Sequence, residues 1–320
     1  METNTRFVVR EFDLATTLNC GQAFRWTKHE DGWEGVVRGH WTRLCQLGSS
    51  VVEATTAVPQ SAWVWLAAYL RLDDDFEAIR GTFPDDAPMR AALAHSPGLR
   101  LLRQEPWECL ASFILSSTKQ IPQIRQCIGL LCERLGEPIP TGSGVSRSTI
   151  PAMRCAFPTA ARLAAATESE LRACNIGFRA KYLASAAQRV ASRSLDLDGL
   201  SGLPLEAARA ELMRCPGVGP KIADCVLLFS CGFDAAFPID VWVERALSHL
   251  YFPAGPASRS RMSRFAASYF GPHAGYAQQY LFHYLRTGET EAPSGAQGLR
   301  QPKLRAQHRL RPRRTSITHP

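Results

Sequence analysis

The apolar residues of this chain change their period along its length, and that change most restricts the folds open to it. Between residues 20 and 56 the pattern is that of short strands. Gln22–Lys28, Trp33–Arg38, Trp41–Leu47 and Val51–Thr56 are rich in Trp, Val, Phe and Thr, and Glu-Asp-Gly, Gly-His and Gly-Ser-Ser separate them. This predicts an antiparallel meander, to which Arg6–Val9 adds an edge. A helix is predicted over 60–70, and Asp73-Asp74-Asp75 reads as a solvated turn and helix start rather than a metal site. From about Met89 onward the period is 3.6. Helices are predicted from Pro106 to the paired serines at 116–117, and over 121–135, 158–167, 168–173, 179–194, 205–214, 221–230, 241–250, 259–270 and 275–286. The expected fold is therefore α+β, with an N-terminal antiparallel sheet domain over 1–95 and an all-helical domain over 96–286. Residues 287–320 lack periodicity and read as a basic, disordered tail.

A net charge of +8 invites a polyanionic partner, but its distribution weakens that inference. Beyond residue 286 seven Arg and Lys stand against Glu289 and Glu291, so the tail holds +5 and the rest of the chain only +3. The ten cysteines include no C-x-x-C pair, the pattern of reduced thiols in an intracellular protein. The N-terminus carries no secretory h-region, and no apolar run approaches the ~18 residues of a membrane span. The expectation is a monomer that uses no membrane, metal or cofactor, in the cytoplasm and nucleoid of a prokaryote or the nucleus of a eukaryote.

Chemistry concentrates between Leu212 and Glu244. Gly217 and Gly219 bracket Val218 between two helices, and glycine lets such a bend press its backbone against a ligand. The free N–H groups that open the second helix favour an anion. Lys221 lies in that first turn. Its plain role is a phosphate contact; its sharper role is a nucleophile, favoured by the apolar helix from Cys225 to Phe229. Asp240 precedes another apolar helix, where Asp is a preferred N-cap, and a capped carboxylate can also stabilise positive charge on a sugar. Gln278 and Phe282 share a helix face at i, i+4. That spacing suits core packing, or an amide and a ring that read and stack on a base.

Helix, glycine bend and helix with Pro-Gly-Val-Gly-Pro-Lys, then Pro-Ile-Asp-Val, resembles the helix-hairpin-helix DNA glycosylases with a Gly/Pro-rich loop and an essential Asp. The nearer resemblance, across most of 6–286, is to 8-oxoguanine DNA glycosylases of the eukaryotic type and their bacterial relatives. It is carried by the runs from Asn19 to Trp26, Leu101 to Pro106, Gly177 to Tyr182 and Cys215 to Cys225, and by Gly275 to Gln278 with Phe282. The resemblance implies excision of 8-oxoguanine from duplex DNA by a glycosylase that is also an abasic-site lyase. It gives Lys221 the attack on C1′ and the Schiff base, and Asp240 the sugar cation and the hold on the lysine. Gly21 would accept from N7–H, Phe282 and Cys225 would sandwich the base, and Gln278 would read its Watson–Crick edge. Phe178 would wedge the stack, and Arg179 would bond the estranged cytosine. Gly217, Val218 and Gly219 would grip phosphate.

Departures fall on the opposite strand's side. Thr118-Lys119-Gln120 stands where eukaryotic members have three asparagines, Gln123 replaces a second cytosine-reading arginine, and Trp242 replaces a histidine. Two alternatives compete. One is a superfamily member for other oxidised or mispaired bases; the iron–sulfur cluster many of these carry after the Asp is excluded because the last cysteine is Cys231. The other is a non-catalytic DNA binder, which would need neither Lys221 nor the base-pocket residues.

Overall fold

The computed structural model describes residues 2–117, 119–141, 150–255 and 257–291. Five antiparallel strands form one sheet: β1 (Thr3–Val8), β2 (Trp26–His29), β3 (Gly32–Val37), β4 (His40–Leu47) and β5 (Val51–Thr56), in the order β1-β5-β4-β3-β2. The register runs from Thr3 opposite Thr56 to Val8 opposite Val51, so β1 closes one edge of the meander. Burial alternates strictly along β5, as expected of a sheet with one face on a core. On β3 the run from Trp33 to Val37 is buried without alternation. One face lies in the main sheet core, and the other packs Val36 and Trp41 against Met153, far along the chain.

The helices are α1 (Leu14–Asn19), α2 (Val64–Leu70), α3 (Phe76–Arg80), α4 (Ala87–His95), α5 (Pro106–Ser116), α6 (Ile121–Leu135), α7 (Ala160–Ala164), α8 (Glu168–Leu171) and α9 (Ala180–Ala191). They continue as α10 (Leu205–Met213), α11 (Pro220–Val226), α12 (Val241–Leu250), α13 (Arg259–Tyr269) and α14 (Ala274–Glu291). Asp75 caps α3 by accepting from the Ala78 N–H at 3.0 Å, so the acidic triplet is a turn and helix start, as its sequence suggests. Helix α5 is the axis of the helical part. Glu105 accepts from the Trp107 and Glu108 N–H groups, Pro106 occupies the first position, and every residue from Cys109 to Leu115 is buried. No helix of the described residues is long and apolar enough to cross a membrane.

Several stretches depart from the pattern; the helix expected over 158–167, for one, is only Ala160–Ala164. Gln22–Arg25 is not strand, because the Gln22 side chain, fully buried, draws this stretch into tertiary contacts. Its Nε2 donates to the carbonyls of Thr17 at 2.9 Å and Arg100 at 2.7 Å, and its Oε1 accepts from the Leu102 N–H at 2.9 Å. The main-chain carbonyl of Gln22 accepts from Gln104 Nε2 at 2.7 Å. Helix α2 starts at Val64 rather than residue 60. The helix expected over 221–230 is regular only to Val226 and widens into a π turn over Leu227–Cys231, where Ser230 Oγ donates to the Val226 carbonyl at 2.6 Å. Helix α14 runs on to Glu291, past the expected boundary at residue 286; the remainder of the basic tail lies outside the described residues.

Replacing Gln22 by the near-isosteric Met leaves the Arg100 carbonyl and the Leu102 N–H unpaired, while the Thr17 carbonyl keeps the Cys20 thiol at 3.3 Å. At ~1–3 kcal/mol for each group left unpaired, Gln22→Met is expected to lower the unfolding free energy by about 2 kcal/mol or more, read as a shift in urea midpoint.

Candidate functional site

The glycine bend between α10 and α11 is built by unequal glycines. Gly217 has φ +83°, and a Cβ there would stand 2.6 Å from the Tyr182 ring, so conformation and space both demand glycine. Gly219 is different. It caps α11 at φ −98° and ψ −179°, which any residue can adopt, and nothing lies within 4 Å of where its Cβ would be. Between them Val218 is 5% exposed and anchors the bend to the core. Among the described residues no side chain caps the α11 N-terminus, and Pro220 supplies no N–H.

Helix α11 carries Lys221 into a cavity also lined by Gly21, Phe113, Cys225, Asp240, Gln278 and Phe282. Four segments singled out in the sequence thus meet in one place, and Phe113 of α5 joins them. Lys221 is half-buried, with Nζ 3.4 Å from Ser116 Oγ and 5.1 Å from the Phe113 ring centroid. Ser116 itself donates to the Phe113 carbonyl at 2.8 Å, which leaves its oxygen to accept from the lysine. Phe113 in turn stacks on Phe229, centroids 5.6 Å apart. The lysine therefore sits on a rigid aromatic floor at the end of α5. One turn on, Cys225 is buried, and burial pushes its thiol up to about 12 despite the opposing influence of the Lys221 charge. It presents a neutral, polarizable wall at physiological pH.

Asp240 N-caps α12, accepting from the Val243 N–H at 2.8 Å. It lines the same cavity as Lys221, but among the described residues no ion pair joins the two. Gln278 is 4% exposed, and its Oε1 is buried with no hydrogen-bond partner among the described residues. A buried amide oxygen on a cavity wall is costly unless a ligand satisfies it. Gly21 has φ +89°, with Phe282 3.5 Å and Ile121 3.1 Å from where a Cβ would stand. The residues missed in the sequence are Ser116, Phe113 and Gln279. Gln279 Nε2 donates to the Cys20 carbonyl at 3.0 Å, fixing the Gly21 loop to α14.

The expected wedge lies on a second loop pair. Asn175 and Gly177 both have φ near +60°, and this tight turn leaves Phe178 55% exposed. Arg179 is buried beneath it, its guanidinium carbon 4.4 Å from the Phe178 centroid, and it donates to the Ser117 carbonyl. Lys119 Nζ donates to the Asn175 carbonyl at 3.1 Å, so the two loops brace each other. Thr118 lies outside the described residues. Gln123 is exposed and accepts from the Gln120 N–H at 3.0 Å as the capping box of α6. Trp242, in the first turn of α12, lies under Arg245 at 5.2 Å.

Two family models match the chain: the 8-oxoguanine DNA glycosylase N-terminal domain over residues 5–110, and the HhH-GPD superfamily base excision DNA repair protein over residues 111–271. A probable N-glycosylase/DNA lyase of Methanothermobacter thermautotrophicus is 31% identical, over 88% of this chain and 96% of the relative. An N-glycosylase/DNA lyase of Arabidopsis thaliana is also 31% identical, over 85% of this chain and 77% of the relative. Among solved structures, the Clostridium acetobutylicum 8-oxoguanine glycosylase/lyase, in complex with double-stranded DNA containing cytosine opposite 8-oxoguanine, superposes with TM-score 0.80. It is 32% identical, covering 90% of this chain and 98% of that one.

The unequal glycines give a direct test. Gly217→Ala is expected to destabilise the fold by about 1–3 kcal/mol from backbone strain, with the Tyr182 clash in addition. Gly219→Ala should change stability by no more than about 0.5 kcal/mol in the same denaturation measurement.

Proposed function

Because the chain belongs to the 8-oxoguanine DNA glycosylase family within the helix-hairpin-helix HhH-GPD superfamily, we propose that it is a base-excision repair enzyme, an N-glycosylase and DNA lyase that removes 8-oxoguanine from duplex DNA. The observation that carries the reading is a single cavity lined by an amine, a carboxylate and a buried amide oxygen without a partner. A phosphate-binding hairpin needs none of the three.

The damaged base leaves the stack, at a cost of a few kcal/mol. The backbone N–H groups of Gly219 and Lys221 grip a phosphate of the damaged strand, and Phe178 fills the gap. The amine nitrogen of Lys221 attacks C1′ with its lone pair: the N–C1′ bond forms, the glycosidic bond breaks with its electron pair leaving on the base, and the base takes up the proton that the nitrogen sheds. Asp240, held at the α12 N-terminus, faces the positive charge that develops on the sugar. Loss of the ring oxygen from C1′ gives the imine. Removal of a C2′ proton then expels the 3′ phosphate, completing β-elimination.

Selectivity follows from the Gly21 carbonyl. In 8-oxoguanine N7 bears a hydrogen and can donate to it; in guanine N7 is a lone pair and leaves that acceptor unpaired in a dry site. Phe282 and the Cys225 thiol cover the two faces of the base, and Gln278 Oε1 accepts from its Watson–Crick edge. The protein acts as a monomer on double-stranded DNA, in the nucleoid or the nucleus according to its source.

Borohydride trapping on duplexes with 8-oxoguanine opposite each of the four bases tests this. The wild-type protein should give a covalent adduct that Lys221→Gln abolishes; an adduct surviving that change would exclude the mechanism. Asn caps helices as well as Asp does, so Asp240→Asn separates the charge from the cap. It should slow base release by about 10²-fold while leaving duplex affinity intact.

A further inference from the structure

Two arginines with no part in that chemistry converge on the residue two before Gly21. Arg286, at the far end of the α14 face that bears Gln278 and Phe282, donates from Nη2 to the Asn19 carbonyl at 3.0 Å. Arg125, on α6, donates from Nη2 to Asn19 Oδ1 at 3.1 Å. Neither forms an ion pair with a carboxylate among the described residues. Arg286 also lies against the recognition elements themselves. Its guanidinium carbon is 5.3 Å from the Phe282 centroid, and its Nη1 is 3.4 Å from where a Cβ on Gly21 would stand.

The consequence is a graded row of carbonyls. The Asn19 carbonyl accepts from Arg286 and the Cys20 carbonyl from Gln279, both on α14. The next carbonyl, that of Gly21, accepts no hydrogen bond among the described residues. A glycine at φ +89° has no side chain to restrain its own peptide. Telling an N–H from a lone pair needs that acceptor held at ~2.7–3.2 Å from the base, since a longer contact discriminates nothing. Gln22, held by its buried amide, restrains the carbonyl from one side; from the other the restraint comes from Asn19 and Cys20.

We propose that Arg286 is a positioning residue for base discrimination: by holding the Asn19 carbonyl and lying over the Phe282 ring, it fixes the Gly21 carbonyl relative to the stacking ring, with Arg125 bracing Asn19 from α6. Charge-assisted donation to a carbonyl and a cation–π contact both favour a planar guanidinium in this role over a point charge. The proposal rests on the reading of the cavity as the 8-oxoguanine pocket. It assigns Arg286 no contact with DNA phosphate, the other role open to an arginine near a cavity mouth.

The test uses the full-length protein and two reactions at one active site. Single-turnover excision of 8-oxoguanine requires base reading; strand cleavage at a preformed abasic site in the same duplex requires Lys221 but has no base to read. Arg286→Met should slow excision by on the order of 10²-fold, the loss expected when a reading group shifts by about 1 Å. Abasic-site cleavage and duplex affinity should stay unchanged. Arg286→Lys, which keeps one donor for the Asn19 carbonyl, should recover part of the excision rate and gives the same split if the Met variant folds poorly. Excision at the wild-type rate in both variants overturns the proposal. So does a parallel fall in excision, abasic cleavage and affinity, which is the signature of a phosphate contact. A wild-type protein that cleaves abasic sites but spares 8-oxoguanine overturns the pocket reading itself, and the proposal with it.

Discussion

The site depends on the buried amide of Gln22. Through it the segment between α1 and β2 bonds at once to its own helix end and to the backbone at Arg100 and Leu102. An apolar side chain of the same size would bury equally well but would set no direction. A planar amide with its donors and acceptor all used fixes both the position and the rotation of the segment that carries it. The cores on either side show the result. Cys20 and Phe24 pack in the helical core, while Leu102 packs in the sheet core. Gly21 sits at this crossing, which is how a residue from the sheet-bearing part comes to line a cavity of the helical part.

The long elements were legible because their periods are strict. Helices α6 and α12 and strand β5 begin and end where pattern and caps place them. What escaped is short or is governed by tertiary bonds. Helix α1 spans only Leu14–Asn19 and shows too few turns for a period, although Asp13 caps it. Gln22–Arg25 has strand composition but spends its hydrogen bonds elsewhere. Lys221, Asp240 and Gln278, singled out by type and position, do line one cavity, but spacing left each with two readings and the resemblance supplied the roles. The site was not legible where a neighbour in sequence points another way. Gln278 and Gln279 are ~100° apart around α14 and both line the cavity, and sequence does not say which amide holds the Cys20 carbonyl and which keeps an unpartnered oxygen among the described residues. Likewise nothing in Gly-Val-Gly reveals that Gly217 alone carries the positive φ.

The cavity wall keeps polar groups that folding alone would pair. Gln278 Oε1 has no partner among the described residues, and Lys221 and Asp240 approach without an ion pair. Such groups cost stability, and their surroundings offset it. The Phe113–Phe229 stack and the wholly buried middle of α5 hold the lysine end of the cavity, while the Asp240 cap serves α12 as well as the site. Preorganisation of this kind keeps reacting groups from relaxing onto one another before a substrate arrives.

The damaged-base side and the opposite-strand side differ in how far they are prepared. Phe178 is exposed on a turn braced by Lys119 and underlain by Arg179, so the insertion into DNA that we propose for it requires little further ordering. Arg179, however, is buried and donates to the Ser117 carbonyl. For its guanidinium to reach a base on the opposite strand, that bond must break and the loop pair must shift. Gln123 is similarly engaged, since its amide oxygen serves the α6 N-terminus. On the proposed function, recognition of the lesion therefore uses a wall already in place, whereas recognition of its partner base must be assembled on binding. Discrimination at the first site costs no reorganisation. At the second, each base must repay the same rearrangement through its own contacts, so selectivity for the opposite base is the more easily altered by substitutions in the loops around Ser117 and Asn175.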